Sequence, residues 1–130
     1  MTALSTEHTT MPVLGRLEAT ATRAELIDHI AEAARQIRIQ DAKLVHYAGA
    51  GHIGGDFSAI DILATLYGAV LNVTPATVED PDRDRFILSK GHVAGALYTT
   101  LAAAQANHDA LAAQKLVQKV LLSSMIEEDN

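Results

Sequence analysis

Residues 48–56 read Ala-Gly-Ala-Gly-His-Ile-Gly-Gly-Asp, which places four glycines in nine positions. Each glycine in a helix interior costs about 0.5–1 kcal/mol relative to alanine, so a cluster of them opposes helix formation. The segment is predicted to be a loop in which the backbone turns sharply or comes close to another group. It divides the apolar patterning on either side into two helices. It also leaves His52 on backbone with few side chains around it.

Upstream, Thr22 and Glu25 stand at the spacing of a capping box, where each side chain can accept from a free backbone N–H of the first turn. Leu26, Ile30, Ala33, Ile37 and Leu44 follow at helical spacing, with Arg35, Arg38, Asp41 and Lys43 assigned to other faces. The helix should stop before Gly49 and Gly51. Downstream, Ser58 reads as the cap of a second helix, with Asp61 in its first turn and Ile60, Leu63, Leu66, Tyr67 and Val70 as its apolar positions. Pro75 and Pro81 frame a connecting loop. Asp82, Arg83, Asp84 and Arg85 are expected to form local ion pairs, worth about 0–1 kcal/mol each. Phe86-Ile87-Leu88 is short and apolar and leads into Ser89-Lys90-Gly91, so it reads as a buried strand.

Residues 92–106 are helical in pattern and rich in small side chains. Residues 110–126 carry a stripe of Leu111, Val117, Val120, Leu121 and Ser124, either as a further helix or as a continuation of the same one. The first 21 residues are polar, Thr-rich and aperiodic, and are expected to be a mobile arm or an extended docking segment. A chain of 130 residues that is 48% apolar can bury a core, within one domain or part of one. Aromatic residues are only 4% of the chain and alanine is abundant, which favours closely packed helices. The net charge of −6 and the absence of a basic cluster disfavour a nucleic-acid partner. There is no cysteine, so disulfides, a thiolate nucleophile and a Cys-ligated zinc are excluded. The first residues lack the pattern of a secretory signal and the apolar runs look short for a bilayer span, so a cytoplasmic location without a membrane partner is expected.

Two constellations can carry chemistry. In Gly51-His52-Ile53-Gly54-Gly55, an imidazole that can donate, accept or shuttle a proton sits on backbone able to approach a ligand. A histidine in a tight turn explains the same residues. In Ser89-Lys90-Gly91-His92, backbone N–H groups and a histidine fall where a predicted strand meets a predicted helix, a place that suits a phosphate or diphosphate. An ordinary strand–helix turn with a capping serine is the plain alternative. His29, His46 and His108 show no metal-binding spacing, and Asp61 suits a cap as well as a ligand-orienting acid.

Taken together, AGAGHIGGDFSAIDILATLYGAVLNV followed by PDRDRFILSKGHVAGALYTTLAA resembles the opening of a transketolase, in element order and spacing, over roughly residues 22–104. The glycine–histidine loop looks closer to the small, split bacterial members than to the long single-chain ones. The resemblance implies an α/β fold: part of a diphosphate-binding domain, predominantly helical here, with a short buried parallel strand. It implies thiamine diphosphate as cofactor, with Mg²⁺ held by ligands outside this chain, because the family's Gly-Asp-Gly segment does not occur in the sequence. His92, Gly91, Ser89 and Gly54 would serve the cofactor, and His52 would be catalytic, facing the thiazolium and the substrate. The implied activity is transfer of a two-carbon ketol unit between sugar phosphates by an assembly with the remaining transketolase parts or a homo-oligomer. The chain alone would be inactive, and a non-catalytic binding or assembly module is the alternative. Asp56 stands where many members have serine. Residues 105–130 continue as an amphipathic helix to which the resemblance does not extend.

Overall fold

The structure, a computed structural model, describes residues 14–104. The polar start of the arm, His108 and the C-terminal amphipathic helix lie outside the described residues. Helix α1 spans Arg23–Ala48. Its predicted capping box is formed: the Thr22 amide donates to Glu25 Oε2 at 2.8 Å, and the Glu25 amide donates to Thr22 Oγ1 at 3.2 Å. A box of this kind contributes on the order of 1 kcal/mol. The helix ends at Gly49, whose φ of 69° is left-handed and whose N–H reaches back to Val45 O at 3.0 Å. Glycine takes that conformation without the steric cost a Cβ would bring.

Helix α2 spans Ile53–Thr65, so the glycine-rich segment is only in part a loop. Gly54 and Gly55 lie in the first helical turn, and the position before it is held by His52 rather than Ser58. Ser58 is inside the helix, its hydroxyl donating to Gly55 O at 2.7 Å. Tertiary packing of the first turn, described below, outweighs the low propensity of the two glycines. The helix continues as a π-helical turn over Leu66–Val70, closed by Leu71 N–H to Leu66 O at 2.8 Å.

The core is a junction of three helices. Ala33, Ala34 and Ile37 of α1 pack against Ile60, Leu63 and Ala64 of α2, and Ala96 and Ala103 come from α3, a helix over 94–104 that follows a 3₁₀ turn at Gly91–Val93. Alanines at these contacts let the helix axes approach closely, and each large aliphatic side chain buried contributes about 1.5–3 kcal/mol. Leu14, only 2% exposed, closes one end of this core, and its N–H donates to Ala103 O at 2.9 Å. Arg38 ties α1 to α2, with one nitrogen 2.6 Å from Asp61 Oδ2 and a bond of 3.0 Å to Phe57 O. Asp61 is therefore an ion-pair partner within α2, and the pairing holds its carboxyl below the usual aspartate range. His29 is likewise structural, its Nε2 lying 2.7 Å from Gly15 O.

Four expectations need correction. The buried strand expected at 86–88, and with it the α/β class implied by the resemblance, is not seen. Among the described residues there is no strand, and Ile87 is 88% exposed. Phe86 and Leu88 are half-buried while Ile87 faces out, so the alternation of a strand is present without a neighbouring strand to pair with. Phe86 instead meets the Tyr67 ring edge to face, with centroids 6.2 Å apart. Residues 82–85 make no ion pairs with one another. Arg83 donates to Asp80 O, Arg85 donates to Pro81 O, and Asp84 Oδ2 accepts from Asn72 N–H at 2.6 Å, so backbone groups pin the loop. Asp41 is on the core face of α1, four residues after Ile37, and is fully buried. Val70 is exposed at the end of the π turn.

The helical stretch Ile53–Val70 is, by length and composition alone, apolar enough to cross a membrane. It carries Asp56 and Asp61 and buries Ile60, Leu63 and Ala64 in the three-helix junction.

Candidate functional site

The two constellations separated in sequence meet in space. His52 precedes the first turn of α2, and its carbonyl accepts from Asp56 N–H at 2.8 Å, which fixes the turn. Its side chain makes no capping bond, so the imidazole is left for other contacts. His92 sits in the middle of the 3₁₀ turn Gly91–Val93 that leads into α3. The two rings pack edge to face, with centroids 5.2 Å apart and planes at 83°. Both residues are exposed, so the pair forms a surface that a ligand can reach.

The approach of these two turns depends on Gly55. A Cβ placed there would lie 2.8 Å from Val93 Cγ1, inside any tolerable carbon–carbon contact. The missing side chain lets α2 press against the Gly91–Val93 turn and brings His52 toward His92. Gly55→Ala is expected to cost about 1–3 kcal/mol by overpacking. Val93→Ala in the same chain should return part of that loss. Urea denaturation of the wild type, both single variants and the double variant checks the coupling. Wild-type stability for Gly55→Ala would contradict the close contact.

Of the other residues singled out in the sequence, Gly91 opens the 3₁₀ turn and Gly54 lies in the first turn of α2. A Cβ at either would meet nothing within 4 Å, so both backbones are open to an approaching group. Ser89 is exposed in the bend before the turn. These features fit a group that lies along backbone, as a diphosphate does. Lys90, which sequence reasoning passed over, also points to this place. Its Nζ lies 3.3 Å from Ser58 Oγ. Nothing in the sequence spacing links position 90 to position 58, and only the packing of the turn on α2 does so.

Beneath the histidines lies a second feature missed in the sequence. Asp41 of α1 and Asp56 of α2 are 0% and 2% exposed. Both converge on Gly95 at the start of α3, where a Cβ would lie 3.1 Å from Asp56 Oδ2 and 3.2 Å from Asp41 Oδ1. Burial in the helix junction, followed by the nearness of the Asp56 carboxyl, pushes the Asp41 carboxyl up to about 8. A carboxyl raised this far keeps its proton near neutral pH. The available sign was a charged residue at a core position of the α1 stripe. Among the described residues, no three His, Asp or Glu side chains gather in one place.

Residues 29–111 match the family described as transketolase, thiamine diphosphate binding domain. An apulose-4-phosphate transketolase subunit of Phocaeicola vulgatus is 48% identical over 61 residues, covering 47% of this chain and 22% of that protein. The 6-deoxy-6-sulfo-D-fructose transketolase subunit SqwG of a Clostridium species is 37% identical over 76 residues, covering 58% of this chain and 26% of that protein. Human transketolase is 36% identical over 73 residues, covering 56% of this chain and 12% of that protein. The chain thus spans about a quarter or less of the length of these relatives. No solved structure matches it. The matched residues include both histidine turns and the three-helix junction, and the chain belongs to the transketolase family through its thiamine-diphosphate-binding domain.

Proposed function

We propose that this chain supplies one wall of the cofactor site in a transketolase-type assembly that moves a two-carbon ketol unit between sugar phosphates. The observation that carries the reading is the edge-to-face meeting of His52 and His92, which packing alone does not require. His92, with the open backbone of Gly91 and the neighbouring Ser89, takes the diphosphate. Gly54 lets the α2 backbone come close to the same ligand. His52 faces the reacting sugar and donates or accepts a proton at a sugar oxygen. Thiamine diphosphate, when bound, supplies the carbanion chemistry that breaks and remakes the bond next to the ketose carbonyl.

Magnesium ligands and the pyrimidine-binding half come, in this reading, from the rest of the assembly. Two relatives are named as subunits, which supports partner chains. The exposed Ile87 is an apolar side chain that a partner chain would cover in such an assembly. Reconstitution tests the proposal. The chain is co-expressed with a polypeptide carrying the later transketolase segments, and ketol transfer is assayed for each alone and for both. Activity only in the combination is expected. A co-purified but inactive combination would favour the non-catalytic assembly module. For the chain alone, calorimetric titration with thiamine diphosphate and Mg²⁺ should give no dissociation constant as tight as about 1 μM, a value that corresponds to roughly 8 kcal/mol of binding.

A further inference from the structure

We infer that Asp41 is a positioning residue of this site, whose proton keeps the start of α3 seated on α1 and α2 and so keeps the His92 turn against His52. The inference rests on the proposed function only for what the two histidines do. Its ground is a chain of contacts that runs from the buried acids to both rings. Asp41 is fully buried, and neither of its carboxyl oxygens has a hydrogen-bond partner. Asp41 Oδ1 and Asp56 Oδ2 lie 3.2 Å and 3.1 Å from the point where a Gly95 Cβ would stand, so α3 presses its backbone onto both acids. Gly95 is the third residue after His92, and Val93 between them is fully buried against Gly55. The Val93 amide donates to Lys90 O at 3.1 Å, which makes the turn a short, stiff link. On the other side, the Asp56 amide donates to His52 O at 2.8 Å.

The neighbouring groups do not satisfy a carboxylate at position 41. Thr99 and Thr100 of α3 are buried, but their hydroxyls donate to Gly95 O and Ala96 O at 2.8 Å each. The buried Gln40 amide also lacks a partner, but adjacent positions on a helix do not face each other. Arg38 of α1 is engaged by Asp61 of α2, and Lys90 of the turn reaches Ser58. His52, His92 and Lys43 are exposed, and Tyr98 of α3 is half-buried. The Asp41 carboxyl is moved by burial and by Asp56, and by none of these. An ionised Asp41 therefore has neither water nor a donor, a costly state that is relieved when the junction opens to solvent. The α1–α2 face resists opening, because the Arg38–Asp61 pair and the packing of Ile37 on Ile60 and Leu63 hold it. The start of α3 is held by the smaller side chains of Val93 and Ala96, so it is the side that lifts, and His92 leaves His52 with it.

The test follows the full chain by NMR between about pH 6.5 and about pH 9, a range that brackets the raised Asp41 carboxyl. The carboxyl ¹³C shift of Asp41 gives its titration. The nuclear Overhauser effect between the Gly55 α-protons and the Val93 methyls gives the seating of the turn. In the wild type this effect should fall at least about twofold as Asp41 ionises, at the same midpoint. Methyl signals of Ile37, Ile60 and Leu63 should persist through the change, and they also report that each variant is folded. Asp41→Asn has no proton to lose. Asp56→Asn removes the neighbouring acid and offers an amide N–H in its place. Both variants should keep the Gly55–Val93 contact across the range. An Overhauser effect that ignores the titration of Asp41, or a fall that persists in either variant, would overturn the inference. So would loss of the core methyl signals at the same pH, because the whole chain would then be melting and the turn would not be moving by itself. The measurement needs neither cofactor nor turnover, so its failure is separate from failure of ketol transfer in the reconstituted assembly.

Discussion

Stability of this chain should fall as pH rises from the ordinary aspartate range toward about 8, by up to about 1.4 kcal/mol per pH unit. The Asp41 carboxyl has its usual value near 3.8 in the unfolded chain, and burial with Asp56 pushes it up to about 8 in the folded one. Between those limits the native state binds more protons than the unfolded state. The slope of unfolding free energy with pH is then negative, so the folded state loses stability as pH rises through the window and levels off above it. The loss is structural in origin. Removing the proton leaves a buried charge beside the Asp56 carboxyl at Gly95, with no hydrogen-bond partner at either Asp41 oxygen. Asp41→Asn replaces the proton with an amide N–H that can donate to Asp56. This variant should show a shallower slope and, near pH 8, higher stability than the wild type. Urea denaturation of both chains between about pH 5 and pH 8 checks it. A wild-type profile that is flat across that range, or equal slopes in the two chains, would rule out a proton held on Asp41 in the folded state.

How far the sequence disclosed this arrangement varies by element. The two ends of α1 were legible because they are local: a Thr–Glu box at one end and a left-handed glycine at the other answer to their own neighbours. The histidines at 52 and 92 were legible as separate motifs, and family resemblance joined them. The start of α2 was not legible, because propensity argues against a helix through Gly54 and Gly55, whereas the contact of Gly55 with Val93 that permits one is tertiary. The strand expected at 86–88 is not seen for the opposite reason. Its alternation is present, but a strand exists only with a partner, and none lies among the described residues. Asp41 was placed on the wrong face because its charge was read before its spacing from Ile37. The contact of Lys90 with Ser58 has no sign in the sequence, since the chain brings the two together only through the packing of α2 against the turn.

In the reconstituted assembly, substitutions at the two histidines should separate into different kinetic parameters, although their ring centroids are only 5.2 Å apart. His52→Ala should lower kcat at saturating cofactor by about 10²-fold or more, the scale of a lost general acid or base. His92→Ala should instead raise the thiamine diphosphate concentration at half-saturation by about tenfold, the scale of one lost hydrogen bond to a charged group. Alanine also removes the edge-to-face contact, so a packing effect could imitate either loss. Phenylalanine resolves this, because it keeps an aromatic ring in the contact but carries no nitrogen. If proton transfer and diphosphate binding are the roles, His52→Phe and His92→Phe behave as their alanine counterparts do. If the pair only braces the two turns, the phenylalanine variants recover wild-type values while the alanine variants lose kcat and cofactor affinity together. Steady-state rates across cofactor concentrations distinguish these outcomes. Recovery by phenylalanine at both positions would move the catalytic role away from this pair of turns and leave Gly55 and Val93 as the reason that the rings meet.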